Sequence, residues 1–177
     1  LQRGDGVTIV LPNEVMFVEL YLAAIQIGLY LTCINYHLTG PEIAYIVNDC
    51  EAKVLVTHER YAAAATVAAE NIQVPLAHRF AVGQIAGFRP CTEMAVGQPM
   101  SRPDDRSPGA SMLYTSGTTG RPKGVRRPLP EGDPNAAAAT SSMLSMLFDI
   151  EPGEGAHLVA GPLYHAAPLA FGMSALH

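Results

Sequence analysis

Apolar and polar positions along the chain fall into short blocks that alternate between two periods. Val7-Thr8-Ile9-Val10-Leu11 is a continuous apolar, β-branched run and predicts a strand. Pro12-Asn13-Glu14 then opens a helix to about Ile27, with Asn13 as its N-cap and Gly28 at its end. Val15, Met16, Val18, Leu20, Tyr21, Leu22, Ala24 and Ile25 leave that helix little polar face, so it should be covered on most sides. Tyr30 to Ile34 predicts a second strand. Thr39 with Glu42 three residues on has the form of a capping box for a helix through about Asn48. Lys53 to Thr57 is a third strand, followed by an alanine-rich helix over about Glu59 to Ala69.

Strands and helices in alternation argue for an α/β fold, with a mostly parallel sheet flanked by crossover helices. Strands without polar alternation argue the same way, since strands covered on both faces have no solvent side. Further along, Arg79 to Val82 predicts a strand and Gly87 to Pro108, rich in Gly, Pro, Asp and Arg, a surface connection. Ser111 to Tyr114 predicts a strand that delivers a glycine-rich loop. Arg127 to Pro134 is a loop, Asn135 to about Asp149 a helix, His157 to Ala160 a strand, and Pro168 onward a helix.

The 177 residues suffice for one domain of ordinary size, and an apolar share of 49% allows a sizeable core. Net charge is -5, which gives no argument for nucleic acid or an anionic membrane surface. Arg121, Lys123, Arg126 and Arg127 nevertheless crowd together with no acid before Glu131. On charge alone this is a solvated basic turn. Cys33, Cys50 and Cys91 form neither a disulfide framework nor a metal knuckle and fit a reducing, cytoplasmic setting. No transmembrane segment is predicted, because Val15 to Leu31 is interrupted by Glu19 and Gln26. Both ends read as cut from something larger, since the chain opens on Leu1 and stops at His177 inside an apolar helical pattern. A sheet cut in this way would leave apolar surface open and favour a homo-oligomer.

Between Thr115 and Gly124, three glycines (Gly117, Gly120, Gly124) alternate with four hydroxyls (Thr115, Ser116, Thr118, Thr119), and Lys123 stands near the end. Glycines permit positive φ and close approach of backbone amides to an anion. Consecutive amides form a concave nest for phosphate oxygens, hydroxyls donate to them, and Lys123 adds charge. The spacing does not fit the common NTPase P-loop, in which Gly-Lys is followed by Ser or Thr. Nor does it fit a Rossmann turn, since no Gly-x-Gly-x-x-Gly follows the first strand. Gly109-Ala110-Ser111-Met112-Leu113 lacks the second glycine of a hydrolase elbow.

Tyr114 to Val125 (YTSGTTGRPKGV) resembles the ATP-loop signature of the adenylate-forming superfamily, which includes acyl- and aryl-CoA synthetases, luciferases and peptide-synthetase adenylation domains. Gly4-Asp5, Leu11-Pro12-Asn13, the Asn35 turn and Lys53-Val54-Leu55-Val56 are similar to the early part of the same domain. Gly161-Pro162-Leu163-Tyr164-His165 is similar to its aromatic-His motif at the acyl pocket. The likeness is nearest to acyl-CoA synthetases of the fatty-acid–CoA ligase type. It implies that residues 1–177 are part of the N-terminal adenylation (AMP-binding) domain, without the C-terminal lid domain.

The resemblance further implies that Thr115, Ser116, Gly117, Thr118, Thr119, Gly120 and Lys123 bind ATP, with Thr115 a contact to Mg²⁺. Lys123 and His165 would serve the chemistry, and Tyr164 and His165 the substrate. A small carboxylic acid, fatty if the apolar run Ala166 to Phe171 lines its pocket, would become acyl-AMP and then pass to coenzyme A. The family's downstream Tyr-Gly-x-Thr-Glu segment, ribose-binding Asp and lid Lys are not in these residues, so this piece alone is expected to be inactive. A non-catalytic nucleotide- or anion-binding module, and an aryl- or amino-acid-adenylating member of the superfamily, remain alternatives.

Overall fold

The computed structural model describes residues 1–115, 120–141, 143–150 and 156–176. Six strands form one parallel sheet: β1 (Gly6–Val10), β2 (Tyr30–Cys33), β3 (Ala52–His58), β4 (Arg79–Val82), β5 (Arg89–Pro90) and β6 (Ala110–Ser111). Their order is β5-β4-β3-β1-β2-β6. Helices α1 (Val15–Gln26), α2 (Gly40–Asp49) and α3 (Ala62–Ala69) make the first three crossovers. The chain leaves β1 in one direction to β2 and returns past β1 to β3, which creates a switch point between β1 and β3.

Side-chain alternation sorts the strands into two cores. Val7, Ile9, Leu31, Cys33, Val54 and Val56 face α1, while Val10, Tyr30 and Leu55 face α2 and α3. Both cores form because these strands carry apolar residues at odd and even positions alike. Two of the buried hydroxyls, those of Thr8 and Thr57, are paired across the ladder. Thr8 Oγ1 donates to the Val54 carbonyl at 3.0 Å, and Thr57 Oγ1 donates to that of Val10 at 3.4 Å.

The box at Thr39 forms on its Glu42 side, where the carboxylate accepts the Thr39 amide at 2.8 Å and its hydroxyl at 2.7 Å. These bonds lower the Glu42 pKa. A depressed folded-state pKa contributes stability above the ordinary glutamate value of about 4.3, and that contribution is lost as pH falls through the lowered value. Glu42→Gln should therefore lower the thermal midpoint at pH 7 by about 1–2 °C, and by nothing measurable at pH 3. Calorimetry at the two pH values checks this.

Several expectations need correction. Glu14, not Asn13, holds the N-cap position of α1, because the Asn13 side chain is engaged elsewhere. The cover of α1 is as expected: Phe17 and Ala24 are buried, most of its other residues are half-buried, and only the stripe Val15, Glu19 and Ala23 is exposed. The first turn of the alanine-rich helix is a 3-10 turn, Glu59–Tyr61.

The connection from Gly87 to Pro108 contains β5 and a 3-10 turn at Cys91–Met94. The strand predicted over Ser111 to Tyr114 divides at Met112. Its start is β6, and its end is β7 (Leu113–Thr115), paired antiparallel with β8 (Lys123–Val125). The helix predicted from Asn135 is found as α4 (Pro134–Ser141) and α5 (Met143–Leu147), with residue 142 outside the described set. No strand forms at His157 to Ala160, where Val159 packs on the core but Leu158 is 87% exposed and no ladder partner is present among the described residues. The last helix, α6 (Ala166–Ser174), starts two residues earlier than predicted. No described helix is long and apolar enough to cross a membrane.

Candidate functional site

The glycine-rich segment emerges from a hairpin whose base is fixed by three tyrosine hydroxyls. Tyr30 donates to the Arg127 carbonyl at 2.6 Å, Tyr45 to that of Pro122 at 3.1 Å, and Tyr114 to Asp49 Oδ2 at 2.6 Å. Burial first, and then the bond to Asp49, raise the Tyr114 pKa, so its hydroxyl stays a donor. Thr115 and Lys123 face each other as the last pair of the ladder before the loop. Ser116, Gly117, Thr118 and Thr119 lie outside the described residues.

The two described glycines of the segment differ in function. Gly120 has φ +121° and open space around it. Gly124 is not among the positive-φ residues, contrary to the expectation from the loop pattern. It is needed for proximity instead. A Cβ there would stand 2.8 Å from Tyr114 Cζ and 3.0 Å from its oxygen, and closer still to Met112 Cε.

The basic cluster also divides. The Arg126 guanidinium lies 4.4 Å from the Tyr30 ring centroid, donates to the Gly4 carbonyl at 2.8 Å and stands 3.7 Å from Glu51. It ties the hairpin to the start of the chain. Arg121 lies over the Tyr45 ring at 5.2 Å. Lys123 is exposed beside the loop.

Beyond the carboxyl ends of the strands lies a cavity of about 300 Å³ whose lining includes Cys33, Asn35, Thr115, Pro122, Tyr164 and His165. The end of β7 thus meets the aromatic-His pair, although nearly fifty residues separate them in sequence. Lys123 and Gly120 are not among the lining residues; Gly120 borders a neighbouring hollow with Arg121 and Pro122. A larger hollow of about 540 Å³ opens at the opposite edge, beside Asp5, Lys53 and Gln73. It holds none of the candidate ATP- or substrate-binding residues, and ligands of open parallel sheets bind at the carboxyl edge.

Tyr164 does not stand alone. Its ring meets Tyr36 edge-on at 5.0 Å, and Tyr36 stacks on Tyr61 at 5.0 Å. His165 lies 4.5 Å from the Tyr164 ring and begins α6. Burial raises the Tyr164 pKa, with Tyr36 adding to it. Burial likewise raises the thiols of Cys33, Cys50 and Cys91, the latter two to about 11, so all three stay protonated and unreactive. Tyr36, Tyr61 and Cys33 carry no sequence signal for the site, because each reaches it through the way the strand ends converge. Among the described residues no group of three His, Cys, Asp or Glu could hold a metal.

An open parallel sheet with a cavity at its carboxyl edge, bordered by a glycine-hairpin, defines a doubly wound α/β ligand-binding protein. The AMP-binding enzyme family model matches residues 1–177, and the chain belongs to that family. Its relatives include oxalate–CoA ligase from Arabidopsis thaliana, 29% identical over 98% of this chain and 33% of that protein. Feruloyl-CoA synthase from an Amycolatopsis species is 32% identical over 96% of this chain and 31% of its own length. Among solved structures, ATP-bound MatB from Rhodopseudomonas palustris superposes with a TM-score of 0.67 at 27% identity, over 99% of this chain and 33% of that one. The chain therefore spans about a third of the length of the curated relatives it matches. The mostly parallel sheet flanked by helices, expected from the sequence, is that of the N-terminal domain of adenylate-forming enzymes.

Proposed function

We propose that the full-length protein carrying this chain is an ATP-dependent acid–thiol ligase. It joins a carboxylate to the α-phosphate of ATP, releasing pyrophosphate, and then exchanges AMP for the thiol of coenzyme A. Residues 1–177 are read as part of its adenylation domain, with a C-terminal lid outside them. The observation that carries the reading is the single cavity shared by Thr115, at the foot of the phosphate-loop hairpin, and by Tyr164 and His165. Names of relatives that are CoA ligases support it.

A carboxylate attacking a polyanion needs charge neutralised as it develops. Lys123 and the loop Thr115 to Gly120 would hold the ATP phosphates. Tyr164 and His165 would border the carboxylate, His165 with a ring N–H able to donate to its oxygens. Thr115 offers one oxygen to Mg²⁺. That suffices for a minor contact, since Mg²⁺ takes most of its ligands from phosphates and water. When bound, the ion would offset phosphate charge.

The apolar run Ala166 to Phe171 that follows the pair in sequence leans towards a fatty acyl group, though it is not among the cavity's lining residues, and the 32% identity to feruloyl-CoA synthase supports an aryl acid as the second reading. The protein would act in the cytoplasm. The fragment alone would not adenylate, because a third of a ligase supplies one side of the cleft. It would also self-associate through exposed Met143, Met146, Leu147 and Phe148; a monodisperse monomer in light scattering at high concentration contradicts that.

The ligase reading is tested by incubating the full-length protein with ATP, Mg²⁺, coenzyme A and a panel of fatty, aryl and dicarboxylic acids. Acyl-CoA formation by mass spectrometry is expected for one class. Nucleotide binding without acyl-CoA from any acid would favour a non-catalytic module.

A further inference from the structure

Asn13 has the sequence position of a helix cap, yet its side chain turns away from α1. Nδ2 donates to the Gly161 carbonyl at 3.0 Å, and Oδ1 accepts the Leu163 amide at 2.9 Å. The two bonds grip the backbone on either side of Pro162, which has no N–H of its own. The Pro162 carbonyl accepts the His165 amide at 3.1 Å and so closes the turn that presents Tyr164 and His165. Leu163 is 4% exposed and packs with Leu169 and Met173 of α6. Without Oδ1 its amide would lose the acceptor it uses at the edge of that core, which costs more than the bond itself is worth.

The chemistry of the clamp is specific. A primary amide both donates and accepts, whereas a carboxylate only accepts. The contact joins the carboxyl end of β1, beside the switch point, to a turn 148 residues away in sequence. On its other side, the Tyr164 ring rests edge-on against Tyr36, which fixes the tilt of the ring but not the position of the backbone beneath it. Asn13 is the side chain that bonds to that backbone on both sides of Pro162.

We propose that Asn13 is a positioning residue of the site: its side-chain amide fixes the Gly161–Leu163 backbone and thereby sets where Tyr164 and His165 stand at the cavity. This rests on the reading above, in which those two residues border the carboxylate. A shift of about 1 Å in a substrate-positioning group can cost up to about 100-fold. Loss of the clamp should therefore act on carboxylate use and spare ATP, which is held by the hairpin on the other side.

The test uses the full-length protein as wild type, Asn13→Ala and Asn13→Asp. KM is measured separately for carboxylate and ATP, and hydrogen exchange is followed at the Leu163 amide. Asn13→Ala should raise the carboxylate KM about tenfold or more, leave the ATP KM within about twofold, and speed Leu163 exchange while the amides of β1 to β3 stay protected. Asn13→Asp keeps the acceptor and loses the donor. It should retain Leu163 protection and fall between the other two in carboxylate KM, and it carries the test alone if Asn13→Ala does not fold. Faster Leu163 exchange with an unchanged carboxylate KM would overturn the proposal. So would an equal rise in both KM values, or an Asn13→Asp protein indistinguishable from wild type in KM. Wild type without carboxylate-dependent turnover sinks the reading of the site, and this role with it. An active wild type with unaffected variants sinks the role alone.

Discussion

Gly109→Ala is expected to destabilise the fold by at least about 3 kcal/mol, enough to remove a large part of the stability of an ordinary domain. The Gly109 amide donates to the Ile25 carbonyl at 2.8 Å, which pulls the chain against the last turn of α1. A Cβ there would stand 2.5 Å from the Leu29 carbonyl oxygen and closer still to that of Ala24, with the Ala24 carbonyl carbon at 3.0 Å. All three are backbone atoms of a helix end and the approach to β2, so no rotamer change relieves the clash. The Ala110 and Met112 amides next bond to the Leu29 and Leu31 carbonyls, which sets β6 beside β2 and aims the hairpin that follows. A displaced Gly109 would therefore move the phosphate loop as well as weaken the fold. Gly87 is the control. With φ +79° and nothing within 4 Å of a Cβ, Gly87→Ala should cost only about 1–2 kcal/mol of backbone strain. Urea unfolding of the three proteins decides the matter, and a Gly109→Ala midpoint no lower than that of Gly87→Ala would refute the packing argument.

Lys123→Ala in the full-length protein is expected to lower kcat/KM for ATP about 100-fold, with little change in stability. Lys123 faces Thr115 across the ladder at the base of the loop, is exposed, and has no ion pair among the described contacts. Its charge is thus available to a phosphate. Arg126 belongs to the same basic cluster in sequence but is engaged by Gly4, Tyr30 and Glu51. Arg126→Ala should do the reverse, lowering the melting temperature while leaving the KM for ATP within about threefold, since a partly exposed ion pair and one cation–π contact contribute little to a site they do not face. Equal loss of ATP use in both variants would mean that the cluster acts as diffuse charge rather than through Lys123.

The contrast between these two cations shows what can be read from a linear sequence. The run from Arg121 to Arg127 is visible as charge, and the glycine–hydroxyl spacing is visible as an anion nest. Which cation faces the loop depends on Tyr30 and Gly4, about a hundred residues away. The mostly parallel sheet was legible because β1, β2 and β3 carry apolar residues at successive positions, a pattern that suits a sheet buried on both faces. The break at Met112 was not. Ser111 to Tyr114 is uniformly strand-like, and nothing in it marks the change from the parallel partner β2 to the antiparallel partner β8. His157 to Ala160 failed for the complementary reason, since a strand-like run without a partner remains a loop.

The site was legible in its two motifs and not in what joins them. Thr115, Tyr164 and His165 could each be singled out, but their shared cavity depends on the convergence of strand ends. Asn13 was seen as a cap because Asn at the start of a helix caps more often than it clamps, and nothing local distinguishes the two.

The most direct measurement is isotope exchange between pyrophosphate and ATP by the full-length protein, without coenzyme A, as a function of added carboxylic acid. The account predicts exchange that is absent without acid, saturates with acid of one class, and falls about 100-fold in Lys123→Ala. Exchange independent of any acid, or none with every acid class while the protein still binds ATP, would contradict it.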